Sequence, residues 1–197
     1  MVTLVISVEG ITEERFAKIV LTPHLATFGK KVVVSVLNGC VSSERISKDL
    51  NRLVSHGKYV TTLYDFYGFR GLKRKDNKNT LETKILKTVD KSRQKQIIPY
   101  VQMHEFEGLL FSSPYHLVKE TDSVDKIMWI EAILKKYRNN PEMINNSIHT
   151  APSKRLRYLS YSKTTHGAEI AKRIGVSKLK QMCTGFRVWL TTLENLK

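Results

Sequence analysis

Cysteine is scarce. Only Cys40 and Cys183 occur in 197 residues, too far apart in the chain for a disulfide framework, and they read as reduced core residues of a cytosolic protein. Long apolar runs are missing too. Nothing approaches the ~18 residues of a membrane span, so no membrane partner is expected. The apolar opening VTLVISV ends at Glu9 without a basic start or a cleavage signature, and it reads as a strand, not a signal peptide. No Gly-x-x-x-x-Gly-Lys-Ser/Thr loop is present, so any ATPase chemistry belongs to another chain. Internal repeats and low-complexity linkers are absent. What is in excess is positive charge: 33 Lys and Arg face 18 Asp and Glu, a formal net charge of +15. Such an excess attracts polyanions, nucleic acid first. A merely soluble basic protein, or an adaptor for an acidic protein, is the plainer reading.

Hydrophobic periodicity orders the elements. Residues 2–8 form a β-branched run. Thr12 is expected to cap a helix with Glu13 and Glu14 in its first turn, a buried face of Phe16, Ile19 and Val20, and a stop at Pro23. Lys31–Leu37 is the second strand, and Ile46, Leu50, Leu53 and Val54 mark the following helix. Tyr59–Tyr64 is the third strand, Leu81, Ile85, Leu86 and Val89 mark another helix, and Gln96–Met103 reads as a fourth strand. Pro99 puts that strand at an edge or in a bulge. Beyond about residue 112 only helical stripes remain, one ended by Pro141 and a long final one from Leu179 to Leu193 capped by Ser177. The expected fold is α/β: a four-stranded, mostly parallel sheet flanked by helices (1–111), with a helical C-terminal extension (112–197) packed on this core.

Positive charge is locally absent in three places. Residues 1–14, 59–69 and 96–118 hold no Lys or Arg. These windows carry Glu9 and Glu13, Asp65, and the pair Glu105 and Glu107, each just after an expected strand. Parallel strands share one carboxyl edge, where open α/β sheets bind ligands. Crowded carboxylates raise one another's pKa unless a cation joins them. With no basic neighbours in sequence, the expected cation is a hard metal ion, Mg²⁺ or Mn²⁺. Singly, each acid has a plainer role as loop residue, helix-dipole partner or turn cap. His104 and His166 are candidates for second-sphere or proton-transfer roles, or are structural.

A substrate track is expected to be basic. Residues 70–95 hold ten Lys and Arg against three acids, and Arg70, Lys73, Arg74, Lys75 and Lys78 directly follow the Asp65 window. Arg155 and Arg157 are candidates for an opposite wall, together with Lys163, Lys172 and Arg173, and Tyr158 and Tyr161 interleave there as possible base-stacking groups. Contacts of this type give affinity with little base preference.

VEGITEERF, TLYDFYGF and IPYVQMHEFEGLLF, followed by PEMINNS, TAPSKRL and CTGFRVW, together resemble the TOPRIM-like family filed as domain of unknown function 4276. That family is similar to the nuclease domains of overcoming-lysogenization-defect proteins, found in anti-phage systems beside ATPase partners. The resemblance implies a divalent-metal-dependent nuclease acting on DNA or RNA, with a partner ATPase. It implies metal ligation by Glu9, Glu13 and Asp65, catalytic roles for Glu9 and Asp65, and transition-state stabilisation by Lys154. Tyr67 stands where a second aspartate is usual, so Glu105 and Glu107 are expected to complete the site. The alternative is a TOPRIM-like subunit that binds nucleic acid or nucleotide without cutting and acts through its partner.

Overall fold

The computed structural model describes residues 1–38, 41–145 and 150–197; Cys40 and the end of the PEMINNS block lie outside the described residues. Five strands form one parallel sheet: β1 (Val2–Val8), β2 (Lys30–Val36), β3 (Tyr59–Asp65), β4 (Ile97–Ile98) and β5 (Val101–Gln102). The order is β2-β1-β3-β4, with β5 also on β3. Central β1 fixes the register. Val8 lies level with Val36 on one side and Leu63 on the other, so the carboxyl ends of three strands form one rim.

The expected fourth strand is broken in two at Pro99, which has no N–H to offer a ladder. Two threonines of β3 bond across the break. Thr61 Oγ1 donates to Ile98 O (2.6 Å), while Thr62 Oγ1 accepts from Tyr100 N (2.8 Å) and donates to Tyr100 O (2.9 Å). On the outer side of β5, α4 (Lys78–Lys87) supplies the partners that a sixth strand would have supplied. Glu82 Oε1 accepts from Val101 N (3.0 Å) and Lys78 Nζ donates to Val101 O (2.5 Å); the two side chains are themselves paired at 2.8 Å.

The first helix departs from expectation at both ends. Gly10, not Thr12, is the N-cap of α1 (Ile11–Phe16), and Thr12 is buried within the first turn. Pro23 does not stop the helix. The chain widens into a π turn over Ala17–Leu21 and continues as α2 (Thr22–Ala26), with Pro23 in its first turn. The wider turn makes room for the ring, and Thr22 Oγ1 donates to Ala17 O (2.9 Å).

Each sheet face has its own core. Val5 and Val60 pack with Ile46 and Leu50 of α3 (Ser43–Leu53) and Leu81 and Ile85 of α4. Leu4, Ile6, Phe16 and Leu21 pack on the other face with the helices after residue 112. These are α5 (Pro114–Lys119), α6 (Ile127–Lys136), α7 (Pro152–Leu156), α8 (Lys163–Ile174), α9 (Val176–Met182) and α10 (Thr184–Glu194). Trp189 of α10 stacks on Tyr100 (4.4 Å between ring centres) and donates from Nε1 to Thr61 Oγ1 (2.8 Å). No helix among the described residues is long and apolar enough to cross a membrane.

The long final helix expected from the sequence is two helices divided at Cys183. The cause is a buried carboxylate: Glu142 accepts from Gly185 N (2.7 Å) and Phe186 N (3.0 Å) and so starts α10 afresh. Glu142→Ala leaves these donors without a charged partner in the interior. It is expected to lower stability by about 2–4 kcal/mol, read from the denaturation midpoint. A shift below a few tenths would mean that water caps the helix equally well. Cys183 itself is buried, its thiol pushed up to about 12 by burial, and it remains unreactive.

Candidate functional site

Glu9 follows the last residue of β1, and Glu13 lies one turn into α1, where its Oε2 accepts from Gly10 N (3.1 Å). Asp65 ends β3. Its Oδ1 accepts from Phe106 N (2.8 Å), which fastens the rim to the 3₁₀ segment Phe106–Ser112. Glu107 of that segment is fully buried. The turn after Asp65 closes directly over Glu9. A Cβ on Gly68 would stand 2.1 Å from Glu9 Oε2, so only glycine fits there without moving the acid.

The fourth wall comes from the C-terminal helices. Gly167 lets α8 approach closely: a Cβ there would lie 3.1 Å from Phe106 and 3.3 Å from Thr12. This approach carries Lys163, the first residue of α8, to the acids. Its Nζ is 3.3 Å from Glu107 Oε1 and 3.7 Å from Glu13 Oε1. Apart from these ion pairs, Glu9 Oε2, Glu13 Oε1 and both oxygens of Glu107 are buried without a hydrogen-bond partner among the described residues, as is Tyr161 Oη.

The electrostatics show how tightly the group is gathered. Burial, then Glu13, pushes Glu9 up to about 7. Burial, then Glu13, also raises Asp65, and burial raises Glu107 despite the opposing Lys163. Burial works to lower Lys163, but Glu107, Asp65 and Glu13 together outweigh it and hold the ammonium above its ordinary range. Burial and the same acids hold the Tyr161 phenol protonated.

A pH dependence follows. Between the ordinary value of 4.5 and about 7 the folded chain keeps a proton on Glu9 that the unfolded chain has released. Stability therefore falls as pH rises through that window, and the raised Asp65 and Glu107 act in the same direction. In chelator, the melting temperature is expected to be higher near the low end of this window than above its high end, and Glu9→Gln is expected to flatten the difference. Parallel profiles for both proteins would rule out a raised Glu9.

Other sequence candidates lie elsewhere. Glu105 does not join the acids: its carboxylate accepts from Ser153 N (2.8 Å) and Ser153 Oγ (3.0 Å), holding the start of α7. An acid two residues from Glu107 on a 3₁₀ turn points another way. Lys154 is half-buried in α7, beside that anchor. Tyr67, in the place expected for a second aspartate, donates to Asn145 Oδ1 (2.7 Å) and stacks on His104 (5.5 Å). Burial lowers His104, which is thus a neutral ring supporting Tyr67. His166 Nδ1 accepts from Ser162 N (3.0 Å) and so organises the turn that presents Lys163. Arg70, Lys73, Arg74 and Lys75 are exposed in the loop before α4, and Arg157 is exposed after α7. Two expected track residues are otherwise engaged. Lys78 seals the sheet edge, and Arg155 bonds Thr150 O (2.9 Å) and Tyr137 Oη (3.1 Å). Tyr161 faces the acids, not a substrate wall.

Positive charge is thus supplied to the acids after all by Lys163, expected in the wall of a substrate track but carried to the acids on a helix from the far end of the chain. No group of three His, Cys, Asp or Glu among the described residues is already drawn together tightly enough to hold a metal ion. The donor chemistry nevertheless suits a hard divalent cation: every unpartnered carboxylate atom is an oxygen, and four acids face one lysine. A family model described as a domain of unknown function, DUF4276, matches residues 8–194. No curated protein and no solved structure matched the chain.

Proposed function

Because the chain belongs to the DUF4276 family, and because its buried acids meet on the ligand-binding rim of a parallel sheet, we propose that it is a nuclease that hydrolyses phosphodiester bonds with Mg²⁺ or Mn²⁺. The observation that carries this reading is the set of buried oxygens on Glu9, Glu13 and Glu107, beside Asp65, that accept no hydrogen bond and meet no cation but Lys163 among the described residues. These four side chains would hold the ion. When bound, the ion supplies an activated water and charge relief on the phosphate. Lys163, anchored by α8 at the mouth of the pocket and 47% exposed, can turn its ammonium from the acids to a phosphate oxygen. Gly68 closes over Glu9 on the β3 side, and Asp65 fastens the strand end to the Glu107 segment. The order of the acids along the chain resembles that of TOPRIM nuclease domains.

The direct test is incubation of the protein with single- and double-stranded DNA and RNA in Mn²⁺, Mg²⁺ or chelator. Metal-dependent cutting that Glu9→Gln abolishes supports the reading; cutting that survives chelator or the substitution defeats it. One observation favours a second reading, a subunit that binds without cutting beside a partner ATPase. Tyr67 puts a stacked, hydrogen-bonded ring where a further metal ligand is expected. Metal binding without hydrolysis of any of these substrates would select that reading.

A further inference from the structure

The rim carries a second feature, built from cations. Leu37 N donates to Val8 O (2.8 Å), so the chain leaving β2 runs beside the residue that precedes Glu9. From there the end of β2 and the flank of α3 enclose an open cleft of about 540 Å³. Arg45, Lys48 and Arg52 line it, and all three are exposed. Spacings of three and four residues place them on one face of α3, about one cation per 5.4 Å turn.

The single acid lining the cleft offsets only Arg52. Asp49 is buried; one oxygen accepts from Ser7 Oγ (2.7 Å) and the other from Arg52 (2.6 Å). Arg45 donates to Asn38 O (2.6 Å) and Arg52 to Ser35 Oγ (3.2 Å), which leaves each guanidinium further donors for the cleft. Glu44 and Asp49 hid this pattern in the sequence, where the segment shows no charge run. On the helix Glu44 falls outside the lining of the cleft and Asp49 turns inward to Ser7 and Arg52, so Arg45 and Lys48 face the cleft apart from the acids.

We infer that this cleft is the track along which the phosphate backbone of a nucleic-acid strand runs to the acid pocket. The inference rests on the phosphodiesterase reading and assigns its substrate approach to α3, not to the lysine-rich loop after Asp65. Two features favour a nucleic acid over an acidic protein. The cations repeat evenly along a straight face, as phosphates do along a strand, and the cleft opens beside the strand end that carries Glu9.

The test is anisotropy of a labelled single-stranded oligonucleotide of about 16 nucleotides in chelator, which keeps binding separate from cutting. Affinity is read across roughly 50 to 200 mM salt. Arg45→Gln/Lys48→Gln alters two exposed side chains and is expected to reduce the slope of log affinity against log salt by roughly 1.4, from ~0.7 per lost phosphate contact. Lys73→Gln/Lys75→Gln is expected to leave most of the slope in place. The inference is overturned by an unchanged slope in the α3 variant, by slope loss confined to the Lys73/Lys75 variant, or by a wild-type protein that binds no oligonucleotide. Equal affinity for poly-glutamate also overturns it and reassigns the cleft to an acidic protein. A parallel Mn²⁺ titration separates the two readings: loss of Mn²⁺ binding in the wild type defeats the acid site, whereas the salt slope alone decides the cleft.

Discussion

Glu107→Gln and Glu9→Gln are each expected to weaken Mn²⁺ binding at least ~100-fold in a calorimetric titration, while Glu105→Gln leaves it near the wild-type value. Loss of a supporting group behind a metal ligand already costs about 10–100-fold in affinity, so loss of a ligand sets a higher floor. The contrast between neighbouring glutamates gives the experiment its force. Glu107 is fully buried with both oxygens lacking a hydrogen-bond partner, whereas both Glu105 oxygens are occupied by Ser153. Equal losses for Glu105 and Glu107 would mean that the segment closes differently around an ion. No loss in any variant would mean that the acids serve Lys163 alone.

Lys163→Met is expected to move binding and catalysis in opposite directions. Its ammonium stands 3.3 Å from Glu107 and 3.7 Å from Glu13, where it competes with any other cation for the same oxygens. A like charge at ~4 Å costs on the order of 1 kcal/mol in water and about 4 kcal/mol at an effective dielectric of 20. Because this side chain is half-exposed, the lower part of that range applies, and Mn²⁺ affinity should rise about tenfold. Cleavage should fall by ~10²–10³-fold, the usual effect of removing one charge-stabilising donor from a reacting oxyanion. A lysine that merely fills space would change neither quantity. One that organises the acids for the metal would weaken binding instead of strengthening it.

Much of this arrangement is legible in the sequence because it depends on topology. Four β-branched runs alternating with helical stripes imply parallel strands, and parallel strands bring Glu9 and Asp65 to one rim whatever the intervening loops do. Three segments free of Lys and Arg mark the acids for the same reason. Side-chain direction is harder to read. Glu105 and Glu107 look equivalent in sequence, and tertiary bonds separate them: Phe106 N to Asp65 Oδ1 fastens the segment, and Ser153 holds Glu105 away from the acids. Lys163 carries no local signal, since its place depends on the close packing of Gly167 against Phe106 and Thr12. Pro23 misleads because a π turn accommodates it, and the division at Cys183 escapes periodicity because Glu142, from outside the helix, starts α10.

The ion pair on the outer flank of β5 has a consequence for assembly. A bare strand margin is a template on which other chains can accrete. Here, Glu82 and Lys78 between them occupy the amide and carbonyl of Val101, and proline interrupts the margin just before it. That side cannot recruit a stranger's backbone without first breaking a charged lock.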